Sequence, residues 1–205
     1  MAAAAHLTSV APDTERFTVQ LAPARLPRRK PNAEYRSREH LTEREVERLI
    51  KAVKGNRGGH RDATMVLLAY RHGLRAAELV EYAILHVRRL KNGSPATHPL
   101  TSKELRALRR LLRQQDTKSP FVFTSERGTP FTKRGFQAMV ERAGKAIGFD
   151  VKIHPHMLRH ACGFKLANDG VDTRTIQAYL GHKSIHHTVR YTELAQTRFK
   201  SLFRD

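Results

Sequence analysis

The stretch His154-Pro155-His156-Met157-Leu158-Arg159-His160-Ala161-Cys162-Gly163 decides how this chain is read. Pro155 suits the first turn of a helix, where its missing N–H is one of the unpaired donors anyway. The helix it opens is expected to end near Gly170, with Cys162 in the core between Ala161 and Gly163. His156 and Arg159 lie three residues apart, so they share one face of that helix. Downstream, Asp172 caps a helix that stops at Gly181, and Ser184 starts another that runs through Tyr191. A terminal amphipathic piece carries Phe199, Leu202 and Phe203.

Upstream, order is expected from Leu41. Thr42 with Glu45 forms a capping box, and Leu41 can staple onto Val46. Val46, Leu49, Ile50 and Val53 then recur at helical spacing, and Asn56 with Gly58-Gly59 ends the helix. A second helix, from about Asp62 through Met65-Val66-Leu67-Leu68-Ala69-Tyr70, is apolar nearly all round and should be central, stopping at Gly73. A short helical piece follows, from Arg75 to about Tyr82. Alternation around Asn92-Gly93 reads as a β-hairpin from Leu85 to Leu100. Thr101 with Glu104 caps a helix bearing Leu105, Leu108, Leu111 and Leu112. Phe121-Val122-Phe123 reads as a short strand, and Thr132 starts a helix with Phe136, Met139, Val140 and Ala143. The class is mainly α with a small antiparallel β-sheet. Residues 1–40, with Pro23, Pro27 and Pro31 around Arg28-Arg29-Lys30, form a flexible basic tail or an arm that touches phosphates.

Composition narrows the partner. The 38 Lys+Arg exceed the 19 Asp+Glu by 19, so a polyanion is implied, nucleic acid before a membrane surface. One cysteine excludes a disulfide framework and thiolate metal sites. No apolar run reaches the ~18–20 residues that span a membrane, and the amino terminus lacks signal-peptide character. A cytoplasmic, nucleoid-associated protein is expected.

Nucleophile and phosphate-loop motifs such as G-x-S-x-G and the P-loop are missing from the sequence. Two histidine groups, His154/His156/His160 and His182/His186/His187, have metal-ligand residue types. No HExxH accompanies them, nearby carboxylates are lacking, and Arg159 inside the first group would repel a dication. Arg75, Lys91, His156, Arg159, His182 and Tyr191 remain, a set suited to phosphodiester chemistry without a metal. Arginines neutralise non-bridging oxygens, histidine and lysine move protons, and a tyrosine can attack and hold the phosphate covalently.

These residues also carry a resemblance. His156-Met157-Leu158-Arg159-His160 resembles the H-x-L-R-H box of the tyrosine recombinases, the phage-integrase family, and Leu180-Gly181-His182 resembles its L-G-H box. Tyr191 stands at the family's nucleophile spacing. Gly73-Leu74-Arg75-Ala76-Ala77-Glu78-Leu79 resembles the first arginine box, and Lys91 falls at the hairpin lysine. The match runs from about Leu41 to Phe203 and looks closest to the small recombinases of the fimbrial-switch type, which lack a separate core-binding domain.

The resemblance implies a DNA breaking-rejoining catalytic-domain fold over 41–205. In it Arg75 and Arg159 clamp the scissile phosphate, and Lys91 protonates the departing 5′-oxygen. His156 assists proton transfer, His182 bonds the phosphate, Tyr191 forms a 3′-phosphotyrosyl link and Glu78 orients Arg75. Arg28, Arg29, Lys30, Arg88, Arg89, Lys133 and Arg134 are the candidate DNA contacts. No cofactor and no metal are implied. Double-stranded DNA is the partner, with a homotetramer on DNA, a monomer in free solution and residues 193–203 as the docking piece between protomers. The segment between Arg75 and Lys91 is short for the family, so the first strand is expected to be missing or shortened. A DNA-binding accessory protein with impaired catalysis is the alternative; an RNA-binding protein is a weaker one.

Overall fold

A computed structural model of the chain describes residues 38–80, 98–115 and 119–195. The expected basic tail with Arg28, Arg29 and Lys30, the expected hairpin with Arg88, Arg89 and Lys91, and the apolar piece around Phe199, Leu202 and Phe203 lie outside the described residues, as does the segment expected to lack its first strand.

Eight helices make up the described part. α1 (Glu43–Lys54) starts as its sequence demands. Thr42 Oγ1 accepts from the Glu45 amide, and the Glu45 carboxylate returns to the Thr42 amide at 2.8 Å. α2 (Gly59–Arg71) begins three residues earlier than its apolar run, because Gly58 and Gly59 open it instead of closing α1. Every residue from Asp62 to Tyr70 is buried, so α2 is the central helix. It packs on α1, on α4 (Ser102–Gln114) and on α6 (Pro155–Asn168). Each fully buried aliphatic side chain there contributes about 1.5–3 kcal/mol. α3 (Ala76–Val80) is short, the described residues stop at Val80, and α5 (Lys133–Ala146) covers it and α1. α7 (Thr173–Leu180) and α8 (His186–Glu193) close the other side against α6.

The small antiparallel sheet does not form among the described residues. Phe121–Phe123 is not a strand. It enters a tight loop in which Phe131 N donates to Phe123 O at 2.9 Å and Ser125 N to Thr129 O at 2.7 Å, with one isolated bridge between Thr124 and Pro130. Among the described residues no further strand pairs with this bridge, and a pair this short is not a sheet. Among the described residues, no helix is long and apolar enough to cross a membrane.

Residues 38–40 are tied to this body at three points. Arg38 donates to Glu45, Glu39 pairs with Arg190, and the His40 ring lies 4.0 Å from that of Phe164.

Candidate active site

Arg159 is the anchor. Its helix α6 buries Met157, Leu158, Ala161, Cys162 and Phe164, and Arg159 itself is only 1% exposed. A guanidinium has five donors and no acceptor, so burial demands oxygens around it. Two backbone carbonyls answer: NH1 donates to Gly73 O and NH2 to Leu180 O, each at 2.5 Å. Glu78, equally buried, stands 4.0 Å from NH1. One side chain thus joins the first arginine box to the L-G-H box across 86 and 21 residues of chain.

Gly73 is required for this. Its φ is +56°, and a Cβ there would stand 2.3 Å from Leu180 Cδ2. Any side chain would shift the carbonyl that holds Arg159.

Arg75 stands differently. Its side chain is 32% exposed, and NH1 donates to Glu78 Oε1 at 2.6 Å, while its backbone amide donates to Glu78 Oε2 at 2.8 Å. Glu78 therefore faces both arginines.

Tyr191 is also buried, at 1%. Its ring crosses α6 at Gly163, where an added Cβ would lie 2.6 Å from the ring. The hydroxyl lies 2.8 Å from His160 Nδ1, which accepts from it in the neutral tautomer that carries its proton on Nε2. Burial first, then the charges of His156 and Arg159, hold His160 down at about 3, so it is neutral at physiological pH. Burial pushes the Tyr191 phenol up, and the Arg159 and Arg190 charges partly reverse this. Its proton thus needs an acceptor, and His160 is the histidine in contact. The sequence reading gave that neighbourhood to His156. His156 is exposed and sets its ring edge-on to His160 at 4.4 Å.

His182 stacks beside Tyr191 with centroids 6.2 Å apart, and its Nδ1 lies 2.8 Å from the hydroxyl of Thr188, which is fully buried. Burial, then Arg159, His187 and Arg75, push its titration down to about 3. Thr188 escaped the sequence reading; its place one helical turn before Tyr191 was the available signal.

Arg75, Glu78, His156, Arg159, His182 and Tyr191 are thus brought into one neighbourhood. Lys91 lies outside the described residues. Lys133 and Arg134 do not belong to this cluster; they are exposed on the first turn of α5. No group of three or more metal-ligating side chains is found among the described residues. The arrangement sets a partly open cation, Arg75, beside a buried one, Arg159, keeps two imidazoles neutral, and bonds a phenol to one of them.

Comparisons with known proteins point the same way. The family model for the phage integrase family matches residues 39–198. The Type 1 fimbriae regulatory protein FimB of Escherichia coli (strain K12) is 39% identical over 187 residues, which cover 85% of this chain and 94% of FimB. Tyrosine recombinase XerC of Staphylococcus haemolyticus (strain JCSC1435) is 30% identical over 174 residues, covering 78% of this chain and 59% of XerC. The crystal structure of XerA recombinase superposes with a TM-score of 0.66 at 28% identity, over 80% of this chain and 63% of that one.

Proposed function

The chain belongs to the phage integrase family and is a tyrosine recombinase, and from that premise we propose that Tyr191 is its nucleophile in site-specific cutting and rejoining of double-stranded DNA, by inversion or integration. The observation that carries this is the clustering of a neutral-histidine-bonded Tyr191 beside Arg159 and His182, with Glu78 linking Arg159 to Arg75.

The chemistry balances without a cofactor. The phenol oxygen attacks phosphorus while its proton passes to histidine; His156 assists, next to His160. The P–O5′ bond breaks, and Lys91 gives the leaving oxygen its proton. Arg75 and Arg159 neutralise the non-bridging oxygens as charge builds, and His182 donates a hydrogen bond to one of them. The 3′-phosphotyrosyl ester keeps the bond energy, so rejoining needs no ATP. Because Tyr191 is buried against Gly163 at rest, it must move outward before attack, a step of the kind that gates many enzymes.

Lys133 and Arg134 support DNA contact. Cations in the first turn of a helix oppose the helix dipole, and α5 has no acidic residue there. A phosphate at that end removes the penalty. Arg28, Arg29, Lys30, Arg88 and Arg89 add phosphate contacts; residues 1–40 act as a basic tail, 41–205 form the catalytic domain, and the working form is a homotetramer on DNA assembled through residues 193–203 from free monomers in the cytoplasm. The relatives do not favour an accessory role without catalysis.

The test is a nicked suicide half-site incubated with the protein. A covalent protein–DNA adduct is expected, abolished by Tyr191→Phe. No adduct with the true site, and no difference between the two proteins, refutes the reading.

A further inference from the structure

Behind the carbonyls that hold Arg159 lies a second polar cluster. His72 ends α2 and is 4% exposed; His98, 7% exposed, begins the chain's return after residues 81–97; Tyr179 lies on α7. The two histidines face each other Nδ1 to Nδ1 at 3.2 Å. The Tyr179 hydroxyl is 3.2 Å from the same His72 Nδ1 and donates to Arg71 O at 3.0 Å. The His98 ring stacks on Tyr179, centroids 3.9 Å apart at 16°. Glu104, 1% exposed, sets Oε1 3.4 Å from His72 Nε2, while its Oε2 accepts from the Thr101 amide that starts α4. None of these groups has a place in the phosphate chemistry above.

Its position is what matters. His72 directly precedes Gly73 and Tyr179 directly precedes Leu180, the two residues whose carbonyls grip Arg159. His98 stands seven residues after Lys91. Three side chains that touch one another are thus each within a short reach of a different catalytic segment: Arg75, His182 and Lys91. The contacts are also chemically demanding. Between two Nδ1 atoms at 3.2 Å one ring must donate and the other accept, so the pair holds a defined arrangement that a generic apolar contact does not.

We propose that His72, His98 and Tyr179 are positioning residues that set the trailing end of the Lys91 segment in register with the two peptide carbonyls holding Arg159. In the free protein they fix residues 73–75 and 98–101 together. The catalytic consequence rests on the recombinase reading: displacement of a catalytic group by about 1 Å can cost about 100-fold in rate.

Three variants separate the parts. Tyr179→Phe removes only the hydroxyl. His98→Phe keeps a ring on Tyr179 but removes Nδ1. His98→Asn returns a polar atom close to the Nδ1 position. Amide hydrogen exchange in the DNA-free protein is followed at residues 73–75 and at residues 98, 100 and 101, together with the melting temperature. Adduct formation on a nicked half-site is followed in single turnover, together with DNA affinity. In Tyr179→Phe and His98→Phe, exchange at both sites is expected to rise about tenfold. The adduct rate is expected to fall tenfold or more with affinity changed less than twofold, and His98→Asn recovers most of both. Unchanged exchange in both Phe variants overturns the proposal, and so does a loss of rate that His98→Asn fails to rescue and that tracks melting temperature alone. If the wild-type protein forms no adduct, the recombinase reading has failed, and the exchange data still decide whether the cluster pins these residues.

Discussion

Arg159 and Arg75 are the same residue type with the same proposed task, yet the fold holds them in opposite ways. Arg159 is sealed in the core by two carbonyls and a nearby carboxylate. Arg75 stands at the surface of the same carboxylate with a third of its side chain open. The difference teaches that the proposed clamp would have one buried jaw and one partly open jaw. Arg159 ties the carbonyls of Gly73 and Leu180 together, whereas Arg75 is bonded to Glu78 with part of its side chain open. Removing a buried charge partner strands the groups around it, while water can replace a partly exposed one.

Ranked by loss of stability, four experiments break or sharpen that contrast. Arg159→Ala should cost about 3–5 kcal/mol, read from urea unfolding, because it leaves Gly73 O, Leu180 O and Glu78 short of a donor; cleavage should vanish with it. Acid comes next. His160 is held at about 3 and titrates near 6.5 when unfolded, so the unfolded chain binds the proton first as pH falls. The stability it contributes is complete above about 6.5 and is lost progressively as pH drops toward 3. His182 adds in the same direction and window, and His160→Asn should flatten the slope of urea midpoint against pH. Arg75→Ala is expected to cost about 1.5 kcal/mol, since Glu78 keeps the Arg75 amide and the neighbouring Arg159, yet to reduce adduct formation at least 100-fold. A cost equal to that of Arg159→Ala would erase the distinction between the jaws. Tyr191→Phe should be mildest, about 1 kcal/mol for the lost bond to His160, while removing the adduct entirely.

What the sequence made legible was local. The Thr42/Glu45 and Thr101/Glu104 capping boxes, Pro155 at the start of α6 and Gly181 at the end of α7 each form within a few residues, and all are present. The site boxes were legible for the same reason, each being a short run with internal spacing. The rest depends on pairs distant in the chain. Nothing near Glu104 announces that it also faces His72 and Arg71. Nothing within the H-x-L-R-H box says that His160, not His156, meets a tyrosine 31 residues away. Phe121–Phe123 has strand composition, but strand propensity needs a neighbour to act on, and the loop turns back on itself first.

Gly163 has a consequence for when the enzyme is armed. The tyrosine ring fits over α6 only because that residue stops at its Cα; a single methyl would stand 2.6 Å from the ring. The glycine would therefore set how long the proposed nucleophile, Tyr191, spends sheathed. Gly163→Ala should act as a partial safety release. Every 1.4 kcal/mol by which the sheathed position is weakened raises the ratio of drawn to sheathed tyrosine about tenfold. The expected signature is faster Tyr191-dependent adduct formation at unchanged DNA affinity, with less selectivity between true and degenerate sites.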